Sequence, residues 1–242
     1  METLHIKGLT FRLQDLTEKA AAYLKRKERR VLRREAIRFH PFHLLQRAIF
    51  PRDYQNAPIE ELISGKTLMV GCKGGLETLA IGAIGLDIDK EMVHVAHELG
   101  KQAQRPASSF LAASGADMPF RDGTFDSVLS DNVIEHIPPA LVPRHLRETH
   151  RVLRPGGRYV FSTPNRIFEE PPKPGHISLH SFREWEEMVR AAGFLDVKTP
   201  RRRSGALVDL EWKKTREAGA RRGISLGLSH QGVRIITIVA TR

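Results

Sequence analysis

A single cysteine, Cys72, stands in 242 residues, which excludes an internal disulfide framework and a cysteine-built zinc site. No apolar run approaches the ~18–20 residues of a membrane helix, and the stretch from Met1 to Lys25 lacks the apolar core of a secretory leader. There is no internal repeat and no low-complexity tract beyond clusters of basic residues. Two phosphate-binding signatures are missing as well. Lys73 is followed by two glycines instead of Ser or Thr, and no strict Gly-x-Gly-x-x-Gly occurs. These absences lead to the expectation of a reduced, cytoplasmic protein without a transmembrane segment.

What is present begins with an ordinary globular composition, 40% hydrophobic and 28% charged, in a length that suits one domain or one domain with an appendage. The charge is unusual: 39 basic against 28 acidic residues, formally +11. It is also segregated. Residues 1–50 hold 12 Lys/Arg and 5 Asp/Glu, and residues 197–242 hold 11 and 3. The middle, 51–196, holds 16 and 20. Basic ends can meet nucleic acid, an anionic membrane or an anionic small substrate, and can equally be plain solvated surface.

Ala20 to Phe39 reads as a helix, with Leu24, Val31, Leu32, Ala36 and Phe39 in a narrow apolar stripe among Lys and Arg. Pro41 is expected to end it, and irregular linkage follows through Pro58. From Lys66 the pattern alternates. Strands are expected at Thr67–Val70, Ala83–Leu86, Ser109–Ala112, Phe125–Ser130 and Arg158–Ser162; helices at Leu76–Ile81, Lys90–Leu99, Ala140–Leu153 and Phe182–Ala192. Gly193–Val197 and Val233–Ala240 add two strands that would close one edge. Alternating strands and helices predict an α/β fold: a doubly wound, mostly parallel seven-stranded sheet with a basic helical N-terminal extension. The expected division is an extension or cap over 1–55 and a main domain over 56–242. Residues 204–229 read as a helix plus a Gly-rich loop over the pocket.

Ligands of such sheets sit beyond the carboxyl ends of the strands. There Thr67–Val70 runs into Gly71-Cys72-Lys73-Gly74-Gly75 and then a helix. Glycines let backbone approach a ligand, and a helix start offers unpaired N–H groups. Asp87 follows Gly71 by 16 residues at the end of the next strand, where an acid can accept both hydroxyls of a ribose.

On these residues and four further stretches the sequence resembles the class I S-adenosylmethionine-dependent methyltransferases, in particular their type-11, ubiquinone-pathway-like branch. The stretches are Ala113–Phe120, Asp122–Ser130, Asn132–Ile137 and Arg151–Gly157, which together cover roughly 65–165 in the right order. The resemblance implies S-adenosyl-L-methionine as cofactor. It implies that Gly71, Cys72, Gly74 and Gly75 line the methionine end, with Asp87 on the ribose and Ile88 beside the adenine. Ser114, Gly115 and Ala116 would face the adenine edge, and Ser130, Asp131 and Asn132 would sit near the methyl group.

Three positions depart from the family pattern: Met69 in place of a strand acid, Lys73 in place of the loop's second glycine, and Ser114 in place of an acid on the adenine side. Lys73 either snorkels its ammonium to solvent or weakens the cofactor site.

Methyl transfer from a sulfonium asks mainly for alignment and dryness, and for a base only when the acceptor arrives carrying a proton. His136 is the candidate base; a capping or packing role at the next helix is the alternative. Glu135-His136 is similar to the Glu-x-x-Glu-His metal pattern of ubiquinone-pathway and small-RNA 2′-O-methyltransferases. The first carboxylate of that pattern is Asn132 here, so no metal is expected, although His176 and His180 could complete a set. Arg166, His176 and His180 flank a proline-rich stretch that would wall the acceptor pocket or merely connect.

The expected function is methyl transfer to oxygen on a small-molecule or lipid-like acceptor, with an anionic acceptor or surface slightly favoured by the basic ends. RNA methylation at a ribose 2′-oxygen or ring nitrogen is the alternative, and a non-catalytic methyltransferase-like binding protein is a third reading. Peripheral contact with an anionic membrane stays open.

Overall fold

The computed structural model describes residues 2–38, 55–56, 59–106, 109–166, 171–203, 206–209 and 235–242. The chain divides into two compact units, one of Met1–Pro51 with Leu68–Gly115 and one of Arg52–Thr67 with Ala116–Arg242. Pro41 and most of the linkage expected up to Pro58 lie outside the described residues.

The first unit opens with a hairpin that sequence reasoning missed. Strands β1 (Thr3–Ile6) and β2 (Leu9–Arg12) pair antiparallel, pairing Ile6 with Leu9 across the turn. Lys7 and Gly8 both have positive φ, the condition for a two-residue turn matched to strand twist. Lys-Gly lacks the usual Asn-Gly signal, and four-residue strands carry little periodicity. Alternation is nonetheless there: Leu4 and Ile6 are buried on one face.

Helix α1 (Glu18–Arg38) contains nearly the whole segment expected to be helical, and its Ala20, Tyr23 and Leu24 are buried. Between them and the later part of the unit run several ties: Thr17 Oγ1 donates to Glu98 at 2.9 Å, and Lys27 pairs with Glu77 at 2.8 Å.

The rest of the unit is two βαβ turns. Strand β4 (Thr67–Val70, of which Thr67 belongs to the other unit) is buried at every position and leads through the glycine turn to the short helix α3 (Leu76–Ala80); α2 (Ile59–Leu62) precedes it in the chain. Strand β5 (Ile84–Asp87), helix α4 (Lys90–Gln102) and strand β6 (Phe110–Ala112) follow, with β4–β5 and β5–β6 parallel. Asp89 caps α4 by accepting from the N–H groups of Glu91 and Met92. The Phe110 ring fills a notch made by glycines: a Cβ on Gly75 or Gly85 would come within 2.7 Å of it. Burial of that ring stabilises the unit by about 1.5–3 kcal/mol.

The second unit holds β7 (Phe125–Asp131), α5 (Val142–Val152), β8 (Leu153–Pro164), α6 (Phe182–Ala191), β9 (Leu195–Lys198) and β12 (Ile235–Thr241). Its strands run in the order β7-β8-β12-β9; β7–β8 is parallel, while β12 is antiparallel to both its neighbours. A separate small sheet joins β3 (Gln55–Asn56), β10 (Pro200–Arg203) and β11 (Ala206–Asp209). Residues 206–209 are therefore extended, not helical, which corrects that part of the expectation for 204–229; residues 210–229 lie outside the described ones. A Ser181–Glu184 capping box starts α6, and Trp185 and Val189 on its inner face are fully buried, as their helical spacing requires.

The seven strands β4–β9 and β12 make the mostly parallel sheet of a Rossmann-like α/β fold, the architecture that the alternating pattern predicts.

Candidate functional site

In the first unit the chemistry gathers at the carboxyl ends of β4, β5 and β6. Gly71 and Gly75 have positive φ, as does Lys73 at 51°, so the turn demands left-handed backbone at three of five residues. Lys73 meets that demand without being a glycine. Its side chain is exposed, and its N–H donates to Asp87 Oδ2 at 2.7 Å. Asp87 Oδ1 accepts from the Asp89 N–H at 2.9 Å, and the Asp87 carbonyl accepts from Ala113 N–H at 2.9 Å. The acid is thus clamped to the glycine turn, to the start of α4 and to the strand that leads into Ser114 and Gly115. Each carboxylate oxygen, holding one N–H, keeps a lone pair for another donor.

Beside it, Ile88 is 76% exposed, a large apolar side chain left in solvent directly after the acid. Cys72 is buried, and its thiol is pushed up to about 12 by burial first and by the Asp87 charge second. It stays protonated near neutrality and is no nucleophile. Met69, where an acid would be usual, is buried, and its sulfur accepts from the Thr78 hydroxyl at 3.2 Å.

Gly74 has a residue behind it that sequence reasoning did not connect to the site. A Cβ there would lie 2.6 Å from Tyr23 Cζ, so the glycine is required by the α1 aromatic ring and not by its own φ. Tyr23 is 3% exposed. No spacing signal links residue 23 to residue 74; only the tertiary contact does.

In the second unit the residues after β7 and β8 meet. Asn132 has φ 51°, its amide donates to Asp131 Oδ1 at 2.9 Å, and its N–H donates to the Ser162 carbonyl at 3.0 Å. The Ser162 hydroxyl donates to the same Asp131 oxygen. Ser130 points elsewhere: it is fully buried, bonded to the Tyr159 hydroxyl at 2.8 Å, which in turn meets His145 Nε2 at 3.0 Å. Ala116 is buried in this unit.

His136 is exposed, and its Nδ1 lies 2.8 Å from the Gly175 carbonyl. Since a carbonyl only accepts, that nitrogen carries the proton and Nε2 keeps its lone pair. The Glu135 carbonyl accepts from the N–H groups of Ile177 and Ser178 at 2.8 and 3.0 Å. The segment 175–178 is therefore fastened to the end of β7, and His176 stands edge-on to His136 with ring centroids 4.9 Å apart.

Glu135 itself is fully buried, neither carboxylate oxygen has a hydrogen-bond partner among the described residues, and burial holds its carboxyl above the usual carboxylate range. Its oxygens and the ring nitrogens of His136 and His176 lie within 4.8 Å of one another. By donor type the three could hold a divalent cation, and equally they could share a proton. His180 and Arg166 form a different group. Arg166 pairs with Glu184 at 2.9 Å, its N–H donates to the His180 carbonyl, and the His180 ring packs edge-on to Trp185. Of the three residues expected to meet an acceptor, only His176 joins His136.

Comparison with known proteins bears on these two groups. Residues 68–161 match the family described as "Methyltransferase domain". The "Probable S-adenosylmethionine-dependent methyltransferase" of Mycolicibacterium smegmatis is 34% identical over 138 residues, covering 52% of this chain and 51% of that protein. The "Ubiquinone biosynthesis O-methyltransferase" of Xanthomonas oryzae pv. oryzae is 31% identical over 121 residues, covering 47% and 48%. The crystal structure of YcgJ from Bacillus subtilis shares the fold, with a TM-score of 0.55 at 18% identity over 76% of this chain and 96% of that one. The chain spans about half the length of the curated relatives it matches.

Proposed function

We propose that the protein, whose residues 68–161 match a methyltransferase domain, transfers the methyl group of S-adenosyl-L-methionine to oxygen on a small-molecule or lipid-like acceptor. The observation that carries this reading is the end of β5. There Asp87 is held with open acceptor positions on both oxygens, and Ile88 beside it is 76% exposed. A carboxylate next to an apolar side chain suits a nucleoside, the acid taking ribose hydroxyls and the isoleucine covering one face of the base. Gly71, Cys72, Gly74 and Gly75 line the turn that would receive the methionine end, with Ser114, Gly115 and Ala116 on the base's far edge.

When bound, the sulfonium supplies a methyl group already activated for displacement. The chain's own work is to align the acceptor and exclude water. Asp131 and Asn132 stand at the end of β7, where the Ser162 bonds hold them in one arrangement. His136, with its Nδ1 proton on the Gly175 carbonyl, presents Nε2 to take the proton of a hydroxyl acceptor, and the fastened segment 175–178 forms a wall beside it. Oxygen is favoured because a hydroxyl arrives carrying a proton and His136 is built to receive one; a relative named as an O-methyltransferase agrees. A buried, protonated thiol suits the reducing cytoplasm.

Calorimetry with S-adenosylhomocysteine tests the cofactor half. Wild-type protein binds, and Asp87→Ala weakens binding by about 1–3 kcal/mol through lost ribose hydrogen bonds. Labelled cofactor with fractionated cell extract tests the rest by yielding a methyl ether or ester. No binding together with no transfer to any fraction would sink the proposal.

A further inference from the structure

Helix α1 changes character along its length. Up to Lys27 it is anchored: Ala20, Tyr23 and Leu24 are buried, and its lysines face acids, Lys19 with Glu91, Lys25 with Glu2 and Lys27 with Glu77. From Arg29 to Leu32 four consecutive residues are exposed, which on a helix means that every side of one full turn faces solvent. Val31 lies seven residues after Leu24, so the buried stripe continues onto it, yet Val31 is 36% exposed and Leu32 56%. The stripe outruns the surface that covers its first half.

The charges divide in the same way. Arg26, Arg29 and Arg30 stand at spacings of three and four on one side, all exposed, and none has an ion-pair partner among the described residues. Over Glu18–Arg38 the sequence places nine Lys/Arg against three Glu.

We propose that the exposed turn Arg29–Leu32, with Arg26 beside it, is a docking surface for an anionic membrane, with the arginines on lipid phosphates and Val31 and Leu32 entering the interface. A basic face beside exposed aliphatic side chains is what an interfacial helix presents to lipid. Long arginine stems can lie along the apolar boundary while their heads reach phosphate. Nucleic acid would use the same arginines, but it would draw no benefit from Leu32, and the exposed turn offers no aromatic ring for base stacking. This surface does not depend on the methyl-transfer reading. It gives the enzyme a place to meet a lipid-like acceptor.

The test is flotation of the full chain with phosphatidylcholine vesicles carrying phosphatidylglycerol, beside vesicles of phosphatidylcholine alone. The protein floats with the anionic vesicles only, and binding falls as salt rises. Arg29→Glu with Arg30→Glu lowers vesicle affinity by about tenfold or more, since each basic residue near an anionic surface contributes a comparable share. Leu32→Asp separates the two partner classes: it weakens vesicle binding and leaves binding to a single-stranded RNA unchanged. Because all three positions are exposed, circular dichroism of the variants matches the wild type. Absence of flotation overturns the proposal, as does flotation that survives both substitutions. RNA binding that needs the arginines while vesicles are ignored overturns it in favour of nucleic acid.

Discussion

Of the residues at φ 51°, Lys73 after β4 and Asn132 after β7 stand in the loops of the two candidate groups, one in each unit. The conformation is the same and its support is not. Asn132 is a residue type that tolerates left-handed backbone, and its own amide bonds the neighbouring Asp131. Lys73 has no such help. Its backbone is held by the N–H bond to Asp87, in a turn that has Cys72 before it and Gly74 after it. The glycine turn proposed to receive the cofactor is thus built from backbone and from missing side chains, with Gly74 yielding to Tyr23 and Gly75 to Phe110 and Ala96. The loop after β7 is built from side chains reaching other strands and segments, Asp131 to Ser162 and His136 to Gly175. A site made of backbone suits a ligand that never changes. A site made of side chains can be rewritten for each acceptor.

The sharpest way to break that contrast is to separate rate from binding. His136→Ala is expected to lower methyl transfer to a hydroxyl acceptor by about a hundredfold or more while leaving S-adenosylhomocysteine affinity intact. A parallel loss of cofactor binding would show that His136 shapes the cofactor half after all. On the other side, Gly75→Ala combines φ 78° with a Cβ placed 2.7 Å from Ala96 Cβ and from the Phe110 ring. It should cost about 2–4 kcal/mol of stability in denaturant unfolding. A near-neutral result would mean that the turn can re-form without its glycine.

Smaller effects sharpen the comparison of the two φ 51° positions. Lys73→Gly relieves strain and should stabilise by about 0.5–1 kcal/mol, whereas Asn132→Gly, losing the amide bond to Asp131, should destabilise by a similar amount. Thermal melts of the pair decide it; equal shifts would make the two loops equivalent.

The smallest concerns Glu184. The Ser181 N–H, then the Ser181 hydroxyl and Arg166, hold its carboxyl below the usual range. A depressed acid binds protons less readily folded than unfolded, so its stabilisation is present above the ordinary carboxylate pKa and is lost as pH falls through the folded value. Glu184→Gln should therefore cost about 0.5–1 kcal/mol near neutrality, held low by solvent screening, and cost nothing in acid. A penalty that does not change with pH would assign the effect to packing.

Much of the sheet was legible because buried parallel strands are short continuous apolar runs: Thr67–Val70 reads as a strand from its residues and is one, and the helix expected from Phe182 begins there, behind a Ser181–Glu184 capping box that went unread. The hairpin over Thr3–Arg12 was not legible, since Lys-Gly is a weak turn signal and its register depends on burial of Leu4 and Ile6. The strand at Ala206–Asp209 was missed although its pairing to β10 is local, Arg203 opposite Ala206, because four residues carry too little alternation to read.

By itself the sequence determined the order of strands and helices in the main sheet, the glycine turn, the acid that follows it and the segregation of charge, all of which depend on local residue type and spacing. Only the tertiary structure decided which of those residues meet. It turned Ser130 inward to Tyr159, parted His176 from His180, set Tyr23 behind Gly74 and left the last described turn of α1 without a cover. Such meetings join residues tens of positions apart, where packing and hydrogen bonding choose the partner and no periodicity along the chain records the choice.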